Sequence, residues 1–176
     1  KKLTNKRGVI AAPRSLTFYG YLPFWRTFFA ELGYELKISP PSSNEILTAG
    51  ERLKTAEICA PVVLGLGHAQ SVFEMEADYY FFPYMIREPH KPGFSNSHFC
   101  PHVQSHPALV RALFPDIQDS RVLHPVLDLN KPERLYISLV MKELGPKMGI
   151  RRDDARRALR AAHSALAEFH NRCMEA

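Results

Sequence analysis

No stretch of about 18 consecutive apolar residues occurs in the 176-residue chain, so no membrane-spanning helix is expected. Walker, GxGxxG, GxSxG and HExxH patterns are also missing. Their absence argues against a self-contained nucleotidase, dehydrogenase, serine hydrolase or zincin. Cysteine is scarce, at three residues. An odd, small number argues against a secreted disulfide framework and for a reducing, cytoplasmic setting. The opening residues Lys1-Lys2-Leu3-Thr4-Asn5-Lys6 contain neither a methionine nor an apolar signal region, so we expect a fragment of a longer protein.

What is present fits one ordinary globular domain, with 45% hydrophobic and 23% charged residues. The net charge of +5 is concentrated at residues 1–7 and 151–160, which reads as a solvated face rather than a nucleic-acid surface. Fourteen prolines supply many hard element boundaries.

Strands are expected at residues 8–12, 34–38, 77–82 and 121–126. Between them lie helical patterns: one opening at Pro23 and ending at Gly33, one over 43–53 behind a Ser42/Glu45 capping box, and one from Pro61 to about Met75. A short helix is expected over 107–114. Another opens at Pro132 and stops at Gly145-Pro146, and a last one starts at Arg151. The alternation implies an α/β fold with a largely parallel sheet. Residues 1–128 read as a three-layer α/β domain and 129–176 as a C-terminal helical segment leading to a further subdomain. The last helix carries Ala155, Leu159, Ala162, Leu166, Phe169 and Cys173 as a narrow stripe, suited to packing on the domain or to a homodimer.

Ligands of such sheets sit beyond the carboxyl ends of the strands, so the chemistry is sought there. Cys59, just before a helix started by Pro61, lies where unpaired N–H groups and the positive dipole end suit a metal ligand; the alternative is a buried core cysteine. Cys100 falls in a polar loop of some twenty residues after Pro83, expected to carry it back toward Cys59. His98 and His102 beside it open the option of zinc, although the usual zinc spacings are missing. Cys173 reads as core. Arg14 can receive a phosphate or carboxylate or form a surface ion pair. Glu88 is either a site group or a loop charge, and His68 reads as a satisfied core histidine.

Several strings in succession then carry a family resemblance. Pro13-Arg14-Ser15-Leu16 with Tyr19, Leu22-Pro23-Phe24-Trp25, Glu31-Leu32-Gly33-Tyr34-Glu35, Cys59-Ala60-Pro61 with Gly67-His68, Ala77-Asp78-Tyr79-Tyr80-Phe81-Phe82-Pro83 and Cys100-Pro101-His102-Val103-Gln104-Ser105 are similar to the domain attached to long activator proteins of 2-hydroxyacyl-CoA dehydratases. The match covers roughly residues 8 to 115, and weakly the rest. The resemblance implies a Rossmann-like domain related to dehydratase subunits, which hold a [4Fe-4S] cluster with three cysteines. Cys59 and Cys100 would stand at ligand positions, and a third matching cysteine is missing. It also implies an ATPase activator domain or subunit as partner, acyl-CoA as a candidate ligand, and a chain not catalytic alone; Arg14 and Glu88 stand as the candidate cofactor-binding residues. The alternatives are a docking domain for the ATPase module and a metal-free acyl-CoA or small-molecule binder.

Overall fold

The structure, a computed structural model, describes residues 7–90, 93 and 95–175. Four parallel strands form the main sheet: β1 (Gly8–Ala12), β2 (Tyr34–Ile38), β3 (Tyr79–Phe81) and β5 (Val122–Leu123), in the order β2-β1-β3-β5. Two more strands, β4 (Tyr84–Arg87) and β6 (Val126–Asp128), pair in parallel as a separate ribbon. Helices α1 (Phe18–Glu31), α5 (Glu133–Met148) and α6 (Arg152–Glu175) cover one face; α2 (Asn44–Leu53), α3 (Ala60–Phe73) and α4 (Pro101–Leu113) lie on the other side. The expected α/β, Rossmann-like three-layer fold with C-terminal helices is what the chain adopts.

β1 is central, and its residues Ile10, Ala11 and Ala12 are fully buried. Its register with β2 runs from Gly8↔Tyr34 to Ala12↔Ile38, as the two apolar runs suggest. The third and fourth strands come out shorter than expected because proline breaks each ladder. Phe82 N–H still donates to Leu123 O (2.9 Å) and Tyr84 N–H to Pro125 O (2.9 Å), so β4 and β6 continue the lines of β3 and β5 past Pro83 and Pro125. Arg87 ties the ribbon together with two hydrogen bonds to the Asp128 carboxylate (3.0 and 2.5 Å), which hold that carboxyl below its usual range.

Two helices begin a turn or more before the prolines expected to start them. α1 begins at Phe18, where Ser15 O accepts from Phe18 N–H (3.0 Å), and Pro23 is interior; burying Phe18 and Tyr21 rewards the added turn. α4 begins at Pro101, a favoured first position, and encloses Pro107. α5 runs through Gly145-Pro146 to Gly149, which is left-handed (φ 62°). Its terminal carbonyls are taken up by distant donors: Tyr79 Oη donates to Lys147 O (2.8 Å) and Arg7 Nη2 to Met148 O (3.0 Å). The near half of the α6 stripe packs against α1, with Ala155, Leu159 and Ala162 buried. Leu166 is partly buried against the same core, whereas Cys173 near the end of the helix is exposed rather than part of the core.

α2 and α3 approach through small residues. A Cβ on Gly67 would run into Ile46 O, and one on Gly50 into Val63 O. Gly67→Ala should therefore force two backbones apart and cost about 2–3 kcal/mol. A urea midpoint that falls with unchanged slope is the expected reading; an unchanged midpoint would show that the helices can part freely.

Candidate functional site at the carboxyl edge of the sheet

A helix leading into a parallel strand starts at the carboxyl edge of the sheet, so α3 (before β3) and α4 (before β5) both begin there. Their N-caps are Cys59 and Cys100, with extended backbones (ψ 147° and 137°). The bond to Pro101 favours that conformation at Cys100. Neither side chain makes a capping hydrogen bond and both residues are exposed, so both sulfurs remain available. Buried-core placement of Cys59 is thus replaced by an exposed cap.

The loop before Cys100 has structure that the sequence did not disclose. Instead of twenty irregular residues, it opens with β4 and returns along it: Glu88 N–H donates to Ser97 O (2.9 Å) and Phe99 N–H to Ile86 O (3.0 Å). Gln104 Nε2 then holds Phe99 O (2.7 Å). Cys100 is therefore anchored to the β4 ribbon on one side and to α4 on the other.

The contact between α3 and α4 sets the height of the two cysteines. Gly65 on α3 faces His106 on α4, whose Nε2 lies 2.7 Å from where a Gly65 Cβ would be. Cys59 stands six residues before Gly65, and Cys100 six before His106. Six residues of helix rise about 9 Å, so the two caps extend by the same length from the crossing toward the same edge. His106 is buried, and burial pushes its imidazole down to about 4; nearby Gly65 backbone offsets part of that shift without a well-aligned hydrogen bond. The sequence carries no mark of this crossing, since a glycine inside a helical run does not name its partner.

Between β1 and β3 the direction of winding reverses, and the crevice at that point carries further polar groups. Ser15 and His106 line a cavity of about 20 Å³ there, room for one water, and both Ser15 Oγ and His106 Nε2 are buried without a partner among the described residues. Leu16 in the same turn has φ 50°, a rare conformation for a branched side chain. On the β2 side, Ser39 Oγ accepts from Arg14 N–H (2.8 Å) and contacts His68 Nδ1 (2.8 Å), while His68 Nε2 meets Ser42 Oγ (2.9 Å). His68 is a satisfied core histidine as expected; burial and then the Arg14 charge hold it below its usual range.

Arg14 and Glu88 lie in different recesses. Arg14 borders a cavity of about 150 Å³ with Phe18, Tyr19, Leu22 and Ile38. Glu88 borders a cleft of about 380 Å³ with Tyr21, Leu129, His163, Leu166 and His170. Burial, then the Glu88 carboxylate, push the Tyr21 phenol well above its ordinary range. Tyr136, which contacts His163 Nε2 (2.6 Å), is pushed up to about 12 by burial.

Among the described residues no group of three or more His, Cys, Asp or Glu side chains converges as a metal site. His98 is turned to Asn96, its Nδ1 lying 2.6 Å from Asn96 Oδ1, so the imidazoles flanking Cys100 do not complete a zinc set with Cys59. No helix among those residues is long and apolar enough to cross a membrane. No curated protein and no solved structure matches the chain. A family model described as the CoA enzyme activase uncharacterised domain matches residues 9–176. That span takes in β1 through α6, both cysteine caps, Arg14 and Glu88, and the chain belongs to this CoA enzyme activase domain family.

Proposed function

We propose that this activase domain presents Cys59 and Cys100 as two thiolate ligands of an iron–sulfur cluster whose remaining ligands come from another domain or chain. The observation that supports the reading is the pair of matched caps. Two exposed, unbonded cysteines open adjacent helices of like direction, each six residues above the Gly65–His106 crossing. Two thiols are half of a Cys₄ set, so the donors here fit a shared cluster and not a self-contained one. Thiolate sulfur suits iron, and such a cluster would supply low-potential one-electron transfer to 2-hydroxyacyl-CoA-type dehydration driven by an ATPase partner.

The chain's own residues hold the geometry. Gly65 lets the helices approach, Gln104 and the β4 return leg fix the approach to Cys100, and Pro101 keeps the Cys100 cap extended. Iron and acid-labile sulfide should appear in anaerobically reconstituted protein carrying its activase partner, and not in the isolated chain. Equal iron in both samples, or in neither, would contradict a shared cluster. A second reading, docking to the ATPase module without a cluster, draws on the far half of α6, where Met174 is 88% exposed.

A further inference from the structure

We propose that the recess beside Arg14 binds a small organic carboxylate with a short apolar chain, a site separate from the cysteine pair and independent of the cluster reading. Arg14 is half-buried and makes no ion pair among the described residues. A partly desolvated guanidinium normally finds an anion, because its charge is costly to bury unpaired. Its main chain is fixed between Pro13 and the Ser39 hydroxyl, so the fork starts from a set position. The titratable neighbour across the edge, His68, has both ring nitrogens engaged by serine hydroxyls and offers no negative charge.

The rest of the recess selects what such an anion can carry. Phe18, Leu22 and Ile38 make its walls apolar, and Tyr19, 59% exposed, stands at the rim with its hydroxyl on Ser42 Oγ (3.2 Å). About 150 Å³ is the volume of an apolar cavity that takes a benzene-sized molecule, room for a carboxylate with about three to five carbons. A carboxylate places both oxygens on the guanidinium fork and leaves only carbon against the walls. A phosphate would leave further charged oxygens facing apolar carbon, which costs desolvation without a partner. The position, past the carboxyl ends of β1 and β2, is where open α/β sheets take small ligands.

Methyl NMR of the intact protein, observing Ile38 and Leu22, tests the site with valerate, acetate, butylamine and inorganic phosphate. Valerate should shift both methyls saturably and bind at least ten-fold more tightly than acetate or phosphate, with no butylamine response. Arg14→Gln, which removes the guanidinium and no side-chain hydrogen bond among the described residues, should weaken valerate at least ten-fold while other methyl shifts stay in place. Leu22→Phe, which fills the recess and keeps Arg14, should weaken it as well. Valerate binding that survives Arg14→Gln, phosphate binding as tightly as valerate, or no saturable shift at all would overturn the proposal.

Discussion

Trp25→Ala should lower stability by about 3–5 kcal/mol, the range for deleting a large, fully enclosed aromatic. Trp25 is 1% exposed and sits at the centre of the α1 face of the sheet. Its ring lies 4.6 Å from Phe81 on β3 and 4.8 Å from Phe24, with Phe28 and Phe29 at 6.0 and 6.1 Å. Losing it opens a cavity where α1 meets the sheet, and rigid neighbours on both sides prevent collapse into the gap. Trp25→Phe provides the contrast. The indole N–H is buried without a partner among the described residues, so removing it forfeits no hydrogen bond there and should cost less than about 1.5 kcal/mol. Urea unfolding followed by circular dichroism is the check, since the chain has a single tryptophan and fluorescence would vanish with it. Equal losses in the two variants would show that the indole N–H, and not ring volume, matters.

The second large effect is a pH dependence centred on His106. Its imidazole is held down to about 4, chiefly by burial, against about 6.5 in an unfolded chain. As pH falls through 6.5 the unfolded chain takes up a proton that the folded chain refuses, so stability drops; the drop continues until pH nears 4. By pH 5 the loss from this group should reach about 2 kcal/mol relative to pH 7.5. His68 and His163 are also held low, mainly by burial, and act with the same sign, so the comparison requires a variant. His106→Leu should remove about 2 kcal/mol of the difference in unfolding free energy between pH 7.5 and pH 5. A slope identical to wild type would mean that His106 takes up its proton in the folded chain at the same pH as in the unfolded chain, so that burial does not hold it down.

Where the fold was legible, local pattern and global packing agreed. The first two strands run from Gly8 to Ala12 and from Tyr34 to Ile38 as read, because each is a short apolar or alternating run closed by a breaker. Proline caused most of the misplacements. It is both a favoured helix starter and tolerable inside a helix when tertiary burial outweighs one lost backbone bond, and the local pattern does not separate the two for Pro23, Pro107 and Pro146. The β4–β6 ribbon was hidden for a different reason. Its strands are two stubs behind prolines, and their pairing depends on Arg87 meeting Asp128 from far along the chain.

The candidate site was legible where chemistry is written locally. Cysteine beside a proline-started helix announced both caps, and His68 in an apolar helix announced a satisfied core group. Gly65, His106 and Ser15 carried no such mark, because their significance arises only when α3, α4 and the β1 turn meet. Cys173 misled for the converse reason: heptad spacing continued after the surface it would pack on had ended. Arg14 and Glu88 were singled out singly, and only the fold separates them into two recesses.

The proposed joint ligation by Cys59 and Cys100 at one edge of the sheet is tested by iron and acid-labile sulfide per polypeptide, with the visible absorption spectrum, in the anaerobically reconstituted complex carrying wild-type protein, Cys59→Ser, Cys100→Ser or Cys173→Ser. A cluster spectrum is expected in wild type and in Cys173→Ser, and its loss or marked weakening in each of the other two. Unchanged iron and an unchanged spectrum in both Cys59→Ser and Cys100→Ser would contradict it.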